Sequence, residues 1–136
     1  MPKPSSFTPP VIVDRAYELW LWLEGRVTDF PTVVRHQLGK RILDTSLDLM
    51  NQLLIATYSP GRSPERMKAL QSSNQKVAFM RMLLRGARER RHISIDQHEH
   101  VAGRVAEIGA MLGAWIRKAQ THDKTGDSSA TGESRA

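Results

Sequence analysis

With 136 residues, 40% of them hydrophobic and 25% charged, the chain has the makeup of one ordinary globular domain. The absence of cysteine excludes a disulfide framework and every thiolate metal site. The formal charge is +6, no window approaches the roughly eighteen continuous apolar residues of a membrane span, and MPKPSSFTPP carries no secretory signal, so a cytoplasmic protein without membrane insertion is expected.

Residues 1–8 are expected to be flexible, and the folded unit to cover residues 9–120. Thr8 before Pro9 and Pro10 reads as an N-cap followed by first-turn prolines, where a missing amide donor costs nothing. Ile12, Ala16, Leu19, Leu23, Val27 and Phe30 then recur at helical spacing. Leu19, Trp20, Leu21, Trp22 and Leu23 are consecutive, which makes this helix apolar nearly all round. Two tryptophans pointing in different directions cannot both face one small core, and burying a large side chain is worth roughly 1.5–3 kcal/mol. Trp20 and Trp22 are therefore expected at a subunit interface.

Asp29, Phe30 and Pro31 end this helix and start the next through a very short turn. From Thr32 to about Tyr58, the spacing gives a core stripe of Val34, Leu38, Leu43, Leu47, Met50 and Leu54, widened by Ile42, Leu49 and Leu53. Gly39 in mid-helix is predicted to mark a close helix crossing, because a helical glycine otherwise costs about 1 kcal/mol against alanine.

Ser59 to Pro64 is a loop by composition, and Ser63 with Pro64 repeats the start signal. The third helix is expected to run to about Arg91 with Leu70, Val77, Met80, Leu84 and Ala87 inward. Residues 62–91 hold nine basic side chains against Glu65 and Glu89, a local +7 that contains the whole excess charge of the chain. Arg81, Arg85 and Arg88 fall within an arc of roughly 60°, a basic ridge along one edge. Guanidinium suits bidentate phosphate contact, so Arg81, Arg85, Arg88, Arg90 and Arg91, supported by Lys76, are the predicted nucleic-acid contacts.

The fourth helix begins at a capping box, Ser94 with Gln97. Val101, Val105, Ile108, Leu112 and Trp115 make one stripe that needs a core. Beside it Ala102, Ala106, Gly109 and Gly113 make a second, of residues small enough to admit a neighbouring helix backbone, and these four are the remaining expected interface positions. Residues 121–136 offer no large apolar side chain and are expected to form a disordered tail. Four long amphipathic helices with short connections predict an all-α, antiparallel up-down-up-down four-helix bundle, and its doubly apolar helices predict a homo-oligomer.

No catalytic constellation emerges. His98 and His100 point roughly 200° apart on a helix and cannot share an ion, and Glu89 with His92 lacks the further carboxylates of a di-iron bundle. Asp44 and Asp48 follow Lys40 and Arg41 at the spacing of surface ion pairs. No phosphate loop or nucleophile elbow is present, so neither a cofactor nor a resident metal nor an enzymatic activity is expected. Nothing resembles a zinc finger or an RRM signature, so phosphate contact without base reading is the expected mode.

Two stretches carry a family resemblance. The run YELWLWLEGRVTDFPTVVRHQLGKRILDTSLDLMNQLLIATYS, with Phe30, Pro31, Arg35, His36, Leu38, Gly39 and Arg41, resembles the first two helices of the accessory variability determinant (Avd) proteins of diversity-generating retroelements. HISIDQHEHVAGRVAEIGAMLGAWIRK, with Glu107, Ile108, Gly109, Met111, Leu112, Gly113 and Trp115, resembles their last helix. The resemblance implies a protomer of a basic pentameric barrel that binds the element's reverse transcriptase and template RNA, with DNA as an alternative ligand, during mutagenic copying. A wider relative, the four-helix-bundle proteins encoded in ribosomal RNA intervening sequences, implies instead a structural or scaffolding oligomer without a retroelement role.

Overall fold

The computed structural model describes the backbone of residues 10–135 and the side chains as far as Thr121. Its first helix, α1, spans Val11–Val27. Pro10, with φ −57° and ψ 153°, stands before it, and its carbonyl accepts hydrogen bonds from the Val13 and Asp14 amides at 3.0 and 3.1 Å. Pro10 thus precedes the first turn and does not enter it, and Pro9 lies outside the described residues. Thr8 and the segment 1–8 lie outside the described residues. Ile12, Ala16, Leu19, Leu23, Val27 and Phe30 are all buried, so the predicted stripe of α1 is the packed one.

After the turn at Phe30 and Pro31, the second long helix is built in three pieces: α2 (Thr32–Val34), a π-helical segment (Arg35–Gly39) and α3 (Lys40–Tyr58). A π turn inserts one residue into the helical repeat, which rotates everything after it relative to everything before. The core stripe of α3 is Ile42, Leu49, Leu53 and Ala56 with Thr45 and Ser46. Val34, Leu38, Leu43, Met50 and Leu54, expected at the centre, sit at its margin, and Leu47 is 43% exposed. Gly39 does mark a close crossing: a Cβ there would stand 2.6 Å from Val27 Cγ1 and 3.5 Å from Phe30 Cδ2.

Helix α4 spans Pro64–Glu89, capped by Ser63, whose side chain accepts from the Arg66 amide at 3.1 Å with Pro64 in the first turn. Leu70, Val77, Met80, Leu84 and Ala87 are buried as predicted, joined by Ala69 and Ser73. Arg91 follows α4 with a φ of 62°, and the His92 amide reaches back to the Ala87 carbonyl at 2.8 Å. Helix α5 spans Ile95–Arg135 and opens with the predicted reciprocal box: Gln97 N donates to Ser94 Oγ at 3.0 Å, and Ser94 N to Gln97 Oε1 at 2.9 Å. Its backbone stays helical past residue 121, where composition predicts disorder, and the side chains from His122 onward lie outside the described residues.

Contacts run between α1 and α3, α3 and α4, α4 and α5, and α5 and α1, so the four long helices close a ring about one core. Val101, Val105, Ile108 and Leu112 of α5 are buried in it, with Trp115 packed against its edge. Among the described residues there is no strand, and no helix is long and apolar enough to cross a membrane.

Candidate nucleic-acid interface

The last turns of α4 and the turn into α5 form the basic region. Arg81 and Arg85 are exposed, Arg88 is half-buried, and Arg90 and Arg91 are exposed in the turn itself. Arg81 does not project freely, because its guanidinium folds over α5 at Gly109, where a Cβ would stand 2.8 Å from Nη2. Arg85 Nε donates to Glu89 Oε2 at 2.9 Å, and Arg88 Nη2 approaches the same oxygen at 3.9 Å. The Arg85 hydrogen bond and charge, with a smaller contribution from Arg88, hold the Glu89 carboxyl below its ordinary value of 4.5. One carboxylate therefore ties two ridge arginines into a fixed row, leaving Arg81, Arg90 and Arg91 outside its pairing.

Lys76 is not part of this row. At 100° per residue it lies roughly 140° around α4 from Arg81, and it lines a separate groove of about 580 Å³ between α4 and the second helix. That groove also holds His36, Lys40, Arg41 and Phe79 with the carboxylates of Asp44 and Asp48, and it contains the ion pair Lys40 to Asp44 at 2.7 Å. The sequence reading missed this second cluster. Its signal was the helical angle of Lys76, legible once α3 was placed on that side of α4.

The expected interface residues differ from one another in exposure within the protomer. Trp22 is half-buried against its own core, with its ring 5.5 Å from that of His100 and the Arg26 guanidinium 5.8 Å from it. Trp20 is half-buried with its ring 5.9 Å from that of Tyr17. On α5, Ala106 is exposed, while Ala102, Gly109 and Gly113 are partly covered. At Gly109 a Cβ would lie 3.6 Å from Val77 Cγ1, an ordinary contact, and 2.8 Å from Arg81 Nη2, the mobile end of a long side chain.

Of the histidines weighed as ligands, His92 stacks on Phe30 at 5.6 Å, and His100 Nε2 accepts from Arg104 Nε at 3.0 Å. Among the described residues no three His, Cys, Asp or Glu side chains come together as a metal site.

The sequence profile of the bAvd-like family matches residues 10–119, which is most of the chain and takes in α1, α3 and α4 whole and α5 as far as Ala119. The chain belongs to the bAvd-like family. A comparison with curated proteins finds no match. In this bAvd-like protein the ridge and the capping box both lie inside the matched span, whereas the segment beyond residue 119 lies outside it.

Proposed function

We propose that the protein is a non-catalytic accessory subunit of a diversity-generating retroelement, which binds template RNA through its α4 ridge and also contacts the element's reverse transcriptase. Family membership supports the retroelement role. The observation that carries the nucleic-acid part is the run from Arg81 to Arg91, which sets five arginines against the single carboxylate of Glu89. Backbone phosphates are the natural ligand of such a row, and affinity then falls with salt and depends little on sequence.

The chain acts as a homo-oligomer, in the proposed state a pentamer. Tyr17 and Leu21 of α1, Leu47 and Ile55 of α3 and Phe79 and Met82 of α4 are all exposed, which is more large apolar surface than a solitary four-helix bundle needs to show. A five-fold ring multiplies the +6 of one chain and gathers several weak phosphate contacts on one strand. Two cationic proteins would otherwise meet only through nucleic acid, so the reverse transcriptase must also touch the protein directly. Co-purification that survives nuclease, together with a drop in cDNA synthesis when the protein is omitted, is the expected result. Complete release by nuclease with unaffected synthesis would leave the structural scaffold of the intervening-sequence type.

A further inference from the structure

At the end of the bundle remote from the ridge, an open groove of about 800 Å³ runs between the start of α1, the end of α3 and the later turns of α5. Arg66 at this end and Arg88 in the ridge are roughly 33 Å apart along α4 at about 1.5 Å per residue. The floor is apolar, made by Val11, Ile12, Met111, Ala114 and Trp115, and the rim carries Arg62, Arg66 and Lys118, with no carboxylate lining it among the described residues.

Arg66 holds its charge in this lining for a structural reason. Arg66 donates to the carbonyls of Ala56, Thr57 and Ser59 at 3.0, 3.4 and 2.8 Å, which covers the negative end of α3 with a cation. Its guanidinium stands 5.9 Å from the Trp115 ring, so the wall of the groove is a cation laid on an aromatic. The positive end of α1 opens on the same groove, since Pro10 and Val11 line it. An apolar trough whose lining charges among the described residues are all positive fits a ligand with one apolar and one acidic face.

We infer that this groove docks an acidic amphipathic helix of a protein partner, its apolar side chains on Trp115 and Met111 and its carboxylates toward Lys118 and Arg62. A lining that joins Val11, Ile12, Met111, Ala114 and Trp115 to three cations matches the two faces of an acidic amphipathic helix. The site is separate from the ridge, so loss of nucleic-acid binding there leaves this inference standing, and the reverse also holds.

The test uses the full chain and a labelled 15-residue peptide with leucines at helical spacing and glutamates on the opposite face, read by fluorescence anisotropy. The expected result is saturable binding, weakened at least tenfold by Ala114→Tyr, which fills the groove from an exposed position, and about threefold or more by Lys118→Glu. Equal binding of a peptide with lysine in place of every glutamate would overturn the inference, as would indifference to both substitutions. Displacement of the peptide by single-stranded RNA would assign the groove to nucleic acid instead. A change in oligomer mass with Ala114→Tyr would assign it to a second copy of the chain. A tenfold gain on deleting residues 1–9 would assign it to the chain's own N-terminus.

Discussion

The guanidinium of Arg81 lies against the backbone of α5 at Gly109, with Nη2 only 2.8 Å from where a Cβ would be. The smallest residue of the α5 stripe thus seats the first arginine of the ridge. Gly109→Ala displaces only the far end of a flexible side chain, and alanine gains about 1 kcal/mol of helix propensity. Its stability by urea denaturation is expected within about 1 kcal/mol of the parent, while RNA affinity is expected to rise because Arg81 is released from α5.

Gly39 should behave in the opposite way. A Cβ there meets Val27 Cγ1 at 2.6 Å, and Val27 is buried and β-branched, so it has no room to give. Gly39→Ala is expected to destabilise the fold by about 1–3 kcal/mol, measured by the same urea titration.

Arg66→Ala removes the donor shared by three carbonyls at the end of α3 and the cation over Trp115. A loss of roughly 1–3 kcal/mol is expected. Lysine should recover little of it, because one ammonium cannot reproduce the planar fork that reaches Ala56 and Ser59 together.

Much of the bundle was legible in the sequence. The Ser63 cap, the Ser94 and Gln97 box and the inward stripes of α1, α4 and α5 are local patterns, and local patterns suffice where the helical repeat is uninterrupted. The second helix was misphased because Ile42, Leu49 and Leu53 form a stripe one residue away from Leu43, Met50 and Leu54, and only packing against the other helices decides which of the two is buried. The placement of Trp22 against His100 and the seating of Arg81 on Gly109 are likewise long-range, and no spacing rule within one helix contains them. The ridge itself was legible as a charge excess. Its internal pairing through Glu89 and the angular separation of Lys76 follow from helical spacing, whereas the groove that Lys76 lines needed the neighbouring helix.

Glu89 governs how much of the ridge is available. Its carboxyl titrates below 4.5 because Arg85 donates to it, so the pairing is present above the ordinary glutamate range and is lost as pH falls through the lowered value. NMR titration should show the midpoint of Glu89 returning toward 4.5 in Arg85→Ala. Glu89→Gln releases Arg85 and Arg88, and RNA affinity at neutral pH is expected to rise severalfold.

Arg91 occupies a left-handed position, φ 62°, immediately after α4, where glycine is the unstrained choice. Arg91→Gly should stabilise the fold by about 1 kcal/mol and weaken RNA binding, an opposition expected where a side chain is retained for contact and not for folding.

The most direct test is RNA affinity as a function of salt for the parent chain and for the triple variant Arg81→Glu, Arg85→Glu, Arg88→Glu, with helicity and oligomer mass monitored alongside. Each lost phosphate contact on a single strand lowers the slope of log affinity against log salt by about 0.7, so the variant should bind more weakly with a slope reduced by about two and an unchanged fold. Affinity and slope equal to those of the parent would contradict the account and leave the ridge as a solvated helix face.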